Sequence, residues 1–277
     1  MPKFQTPEPI LATIDLWSHG VRAAGHIQIT ASDRADTVVD VRPGDATHQI
    51  DVETAEQTQV EFVNGHLLVK APKHRLRSLL GRRASIRVTV ELPTGSRLVA
   101  KAASADFRCE GRLGESKFAT GDGDVVVASS SGHTVVETAN GDVRVSEIDG
   151  TAVVMSANGD IALGDVAGDV RITTANGNIS VDRALATVAA KTAKGDVRIG
   201  EVVRGSVVLE SAVGQLELGV REGTAAWLDV QTATGTVHLS LDASSGPAPS
   251  DETVKVRART ATGDIVVRRA PSREEEA

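Results

Sequence analysis

The densest concentration of chemistry-bearing side chains is KAPKHRLRSLLGRR at 70–83, which holds six formal positive charges and no acid. Lys70, Lys73, Arg75, Arg77, Arg82 and Arg83 make a candidate interaction patch for an anionic lipid surface, an acidic partner or a polynucleotide, and Leu76, Leu79 and Leu80 add apolar grip. The competing reading is a solvated hairpin loop whose charges answer an acidic body. Other groups offer less. The seven His residues show no metal-ligand spacing. Ser129, Ser130 and Ser131 stand close to His133, but a nucleophile with a base also needs an orienting group and an oxyanion site. Cys109 lies in an alternating apolar segment and reads as a small packed residue. No catalytic, cofactor-binding or metal residue is assigned, and the chain reads as non-enzymatic.

The elements that hold these groups follow from glycine spacing. Gly123, Gly141, Gly159, Gly177 and Gly195 recur every 18 residues, and Gly114, Gly132, Gly150 and Gly168 form a second series offset by 9. Apolar residues stand two and four places after most of these Gly, as in Asn140-Gly141-Asp142-Val143-Arg144-Val145. This alternation is a strand signal, and Asn-Gly-Asp at every period breaks any helix. A short strand that repeats at constant length buries its apolar face only by stacking on its copies. The expected fold is all-β: a parallel two-sheet β-solenoid of 18-residue coils, each of two nine-residue strand–turn units. Gly123, Gly141, Gly159, Gly177 and Gly195 are its structural turn residues. Stacking puts Ile161 beside Ile179, builds a hydroxyl column (Thr138, Ser156, Thr174, Thr192) read as a ladder, and piles Asp124, Asp142 and Asp160 into a column of like charge. On that reading Asp142→Ala is mild or stabilising. An outer apolar stripe of Val135, Val153, Ala189 and Val208 is a candidate partner or dimer face.

Residues 1–95 lack the glycine lattice but contain strand-like segments, and read as an N-terminal capping region carrying the basic loop. Residues 96–270 are the repeat domain, with an excursion loop at 242–253 where the period drifts, and 271–277 is a disordered acidic tail. Arg268, Arg269 and Pro271 read as guards against stacking on the last coil. The chain of 277 residues has 26 Gly, 4 Phe, 2 Trp and no Tyr, so its core must be thin and aliphatic. One Cys excludes a disulfide framework, and a net charge of −7 argues against nucleic acid as a general partner. No apolar run reaches membrane-spanning length and the first residues lack a secretory pattern, so a cytoplasmic protein is expected, with envelope association left open.

The tandem Thr-Ala-Asn-Gly-Asp-Val repeats, preceded by Val90-Glu91-Leu92-Pro93-Thr94-Gly95-Ser96, resemble the bacterial "putative adhesin" β-strand-repeat proteins, a domain-of-unknown-function family common in actinobacteria. The resemblance implies a β-solenoid, no established catalytic activity and no functional residues to carry over. The expected function is a non-enzymatic scaffold or interaction protein that binds another macromolecule or its own copies, without a cofactor. Two alternatives stand beside it. One is a carbohydrate-binding or polysaccharide-acting β-helix protein; the other is a calcium-stabilised β-roll, although each turn carries one Gly where that design needs several.

Overall fold

The computed structural model describes residues 1–18, 21–22, 24–72, 84–241 and 252–271. Of the basic loop only its first residues are covered; Lys73, Arg75, Arg77, Arg82 and Arg83 lie outside the described residues, as do most of the excursion loop and the acidic tail. The chain divides into two units, Met1–Gly141 and Asp142–Ala277.

In the first unit the strands are β1 (Lys3–Gln5), β2 (Leu11–Ser18), β3 (Val21–Arg22), β4 (Ala24–Ser32) and β5 (Asp36–Pro43), then helix α1 (Gln49–Gln57). They continue with β6 (Gln59–Val63), β7 (His66–Lys70), β8 (Ser85–Pro93), β9 (Arg97–Leu113), β10 (Ser116–Asp122), β11 (Val125–Ser130) and β12 (Thr134–Asn140). The long β9 serves both sheets. Its first half pairs in parallel with β2 and β10, and its second half with β4 and β11. Residues before Ser96 therefore contribute parallel rungs: β2 lies between β7 and β9, and β4 between β8 and β9. The outermost strands of this unit are antiparallel, β6 on β7, and β1 on β5 on β8. Phe4 of β1 stacks on Phe62 of β6 with ring centroids 5.1 Å apart, tying those edges together. Helix α1 has no counterpart in the glycine pattern. The buried Asp51 carboxylate holds it down by accepting hydrogen bonds from the amides of Asp45 (3.1 Å) and Ser85 (2.8 Å).

The second unit runs β13 (Val143–Ile148), β14 (Ala152–Asn158), β15 (Ile161–Val166), β16 (Val170–Asn176), β17 (Ile179–Ala184), β18 (Val188–Lys194), β19 (Val197–Val202) and β20 (Gly205–Val213). It ends with β21 (Leu216–Val220), β22 (Thr224–Thr234), β23 (Val237–Ser240), β24 (Glu252–Thr262) and β25 (Ile265–Arg269). Odd-numbered strands up to β21 pair in parallel in one sheet, and even-numbered strands up to β20 in the other. This is the expected two-sheet β-solenoid. Ile161 lies beside Ile179 as expected, in a column that runs Val143, Ile161, Ile179, Val197 and Leu216. All five are at most 1% exposed. Burying one aliphatic side chain of this size contributes roughly 1.5–3 kcal/mol.

The last coils depart from sequence order. β24 lies between β20 and β22, and β25 between β21 and β23. The final coil in sequence is thus the penultimate rung in space, and the coil β22/β23 is outermost. This explains the drift of the glycine period. The spatial neighbour of Gly214 is Gly263, and that of Gly263 is Gly235; a Cβ on each later glycine would meet the carbonyl oxygen of its neighbour at 2.1 Å. It also corrects the role expected of Arg268 and Arg269. They sit on the inserted rung, where Arg268 pairs with Glu217 at 2.8 Å and Arg269 donates to the carbonyls of Arg221 and Thr224, so they do not guard the outermost strands.

Candidate functional site: the solenoid surface

The turns explain why Asp and Gly are fixed together. Each turn glycine has φ between +134° and +146° at Gly123, Gly141, Gly159, Gly177 and Gly195, which disfavours any side chain. The Asp that follows does not merely repel its copies. The Asp142 carboxylate accepts the amide hydrogen of Asp160 at 2.9 Å, and Asp160 accepts that of Asn178 at 2.7 Å. Asn178 accepts from Asp196 at 2.9 Å, Asp196 from Gln215 at 2.7 Å, and Asp106 does the same for Asp124 at 3.0 Å. Each side-chain oxygen thus satisfies a turn amide one rung away, and the natural Asn178 shows that the acceptor, not the charge, is what the column requires. Of the two outcomes expected for Asp142→Ala, the stabilising one is disfavoured: it should destabilise by about 1 kcal/mol, the usual net worth of one hydrogen bond. Asp142→Asn should stay within a few tenths of wild type. Urea midpoints of the two variants check this, and equal midpoints would remove the acceptor role.

The hydroxyl column is likewise inward but is not a ladder of hydroxyls. Thr192, Ser211 and Thr260 each donate at 3.1 Å to turn-glycine carbonyls, those of Gly177, Gly195 and Gly214. The Ser129–His133 segment puts Ser130 in the core, where it donates to the Gly114 carbonyl at 2.9 Å and accepts from Thr134 at 2.8 Å. Cys109 is buried, and burial pushes its thiol pKa up, the opposite of an activated nucleophile. A cleft lined by His26, Arg87, Asp106 and Asp122 brings His26 Nδ1 only to within 3.8 Å of Asp106, too far for a hydrogen bond. Among the described residues no group of three or more His, Cys, Asp or Glu side chains could hold a metal ion.

Lys70 ends β7 half-buried, so of the expected basic patch the structure describes one residue. A different basic surface emerges from strand pairing. On β24 the inward row Val254, Val256 and Ala258 alternates with Lys255, Arg257 and Arg259, all exposed. Beside this row on β22 stand Trp227, Asp229 and Gln231, and on β20 Ser206, Val208 and Glu210. Asp229 bridges Arg257 at 3.2 Å and Arg259 at 3.4 Å. Trp227 is 61% exposed, which places a large ring on an open sheet face. The stripe Ala189–Val208 leads directly into Arg257, so the expected apolar face continues into a cationic one. Sequence reasoning missed this surface because its rows come from coils brought together by the inserted rung. The alternation of Lys255, Arg257 and Arg259 was nonetheless visible as three cations on one face of one strand.

The face thus presents three cations, two of them paired with Asp229, beside an exposed indole. A sequence model of one protein family matches residues 21–269. The chain belongs to the Toastrack DUF4097 family. Solved structures similar to this Toastrack chain include a "putative adhesin" from Bacteroides fragilis NCTC 9343, 14% identical over 96% of this chain and 95% of that one, with a TM-score of 0.45. Another is a "putative cell adhesion protein" from Clostridium sporogenes ATCC 15579, 9% identical over 97% and 98% of the two chains, with a TM-score of 0.27. No curated protein matches the Toastrack chain. Among the described residues no helix is long and apolar enough to cross a membrane.

Proposed function

We propose that this Toastrack chain is a non-enzymatic, adhesin-like interaction protein that presents its β20–β24–β22 face to an anionic macromolecule. The observation that carries this reading is the exposed row Lys255, Arg257 and Arg259 beside Trp227, on a chain whose net charge is −7. Cations concentrated on one flat face of an acidic protein attract a partner of opposite sign. Trp227 favours an acidic polysaccharide among such partners, since a sugar ring stacks on an exposed indole while its carboxylates meet the guanidinium groups. The basic loop at 70–83 adds six cations to the same class of ligand by its charge alone. A calcium-stabilised reading is not favoured, because the Asp oxygens of the turns already accept amide hydrogens.

Calorimetric titration with a uronic-acid polysaccharide tests the proposal. Binding should weaken with added salt. It should fall at least tenfold in a Lys255→Glu, Arg257→Glu, Arg259→Glu triple variant of unchanged melting temperature. Equal binding by wild type and variant, or none by the wild type, would refute the role of this face.

A further inference from the structure

We infer that two copies of this chain associate tail to tail through the outermost rung, β22/β23. Among the described residues β22 pairs with β24 alone and β23 with β25 alone, which leaves one main-chain edge of each strand open. The inward residues of this rung are not covered as they are elsewhere. Val237 is 37% and Leu239 52% exposed, whereas their neighbours in the column, Ile265 and Val267, are 1% and 0% exposed. Leu228 and Val230 are also partly exposed, against buried Val256 and Ala258 on the next rung.

A second copy fits this edge better than the other occupants. The undescribed segments 242–251 (DASSGPAPSD) and 272–277 (SREEEA) contain no Val, Ile, Leu or Phe to fill the open columns, and 73–83 carries five Lys or Arg. Edge strands normally carry Lys, Pro or a bulge to prevent pairing. β22 and β23 contain neither Lys nor Pro, and Arg268 and Arg269 are committed to the rung beneath. An open edge is also complementary to itself in antiparallel sense. A two-fold axis near Val230 and Leu239 sets Val230 against Val230, Leu228 against Thr232, and Leu239 against Leu239. The same register faces Asp229 with Gln231, so no like charges meet on the outer side, and Asp229 stays between Arg257 and Arg259. Both sheets then continue through the interface. A two-fold axis uses the same edge on both copies, so this pairing is isologous and ends at two copies.

Sedimentation equilibrium of the full chain, from about 1 to about 200 µM, tests this; the contact is smaller than a standard interface and should be weak. The wild type should pass from monomer to dimer within that range. Leu239→Lys and Val230→Lys alter side chains already in contact with water, so melting temperatures should hold while dimerisation weakens at least tenfold. Amide hydrogen exchange in β22 should slow at the higher concentration in the wild type only. A wild type that remains monomeric at about 200 µM, or a folded Leu239→Lys protein that dimerises like wild type, would overturn the proposal. Binding of an anionic polymer can succeed or fail independently, because it engages the outer row and not the rung edge.

Discussion

Gly177→Ala should unfold or severely loosen the second unit, with a loss of about 3 kcal/mol or more from two causes acting at one atom. The first is conformational. Gly177 has φ +146°, outside the basins an L-alanine occupies at low cost. The second is contact. A Cβ at this position would stand 2.1 Å from the carbonyl oxygen of Gly159 and 2.6 Å from its carbonyl carbon. Both atoms are backbone of the adjacent rung, so neither can swing aside as a side-chain tip would. Relief requires the rungs to separate, which strains the hydrogen bond that the Gly159 amide donates to the Asn176 carbonyl at 3.0 Å. Gly223→Ala is the control. Gly223 also has positive φ, +78°, but a Cβ there meets nothing within 4 Å. It should cost about 1 kcal/mol, the backbone component alone. Urea unfolding followed by tryptophan fluorescence would rank the two. If Gly177→Ala were no worse than Gly223→Ala, close approach between rungs would not be what fixes glycine in the lattice.

That contrast shows what a sequence of this kind discloses. Gly177 and Gly195 announce their role because a strict 18-residue recurrence has no other simple cause, and the inward register of Val143 and Ile161 follows from counting two places onward. Rung order is a different matter. Every coil carries nearly the same inward residues, so a coil from one part of the chain fits between any two others, and periodicity cannot state which. The insertion of β24/β25 between β20/β21 and β22/β23, and of β2 and β4 beneath β7 and β8, is therefore invisible in spacing except as drift. The cationic row of Lys255, Arg257 and Arg259 was legible as a strand face, but its Trp227 neighbour was not, because that pairing depends on the insertion. The Asp column failed in another way. Counting charges suggested repulsion, whereas the oxygen of Asp142 reaches the Asp160 amide, a relation that only turn geometry reveals. Helix α1 was missed because QIDVETAEQ has no strong amphipathic period and is held by one buried carboxylate.

Val143→Asp should be the most damaging single substitution in the lattice. Val143 is 0% exposed and stands in an inward column in which it pairs with Ile161, so the carboxylate would enter a layer of aliphatic side chains with no cation in register. An unpaired buried charge commonly costs about 4 kcal/mol or more, enough to unfold many domains. The pH dependence identifies the cause. Desolvation raises the pKa of the introduced carboxyl in the folded state above its unfolded value. The protonated form is then the one the fold tolerates, so the penalty is smallest below the unfolded pKa and grows as pH rises through the folded one. The gap between variant and wild type in urea midpoint should consequently narrow between pH 7 and pH 4. Val143→Asn buries a polar group of the same size that does not titrate, and its gap should stay constant over that interval. Two parallel pH profiles would mean that lost shape, and not buried charge, accounts for the damage, and that the column at Val143 admits water.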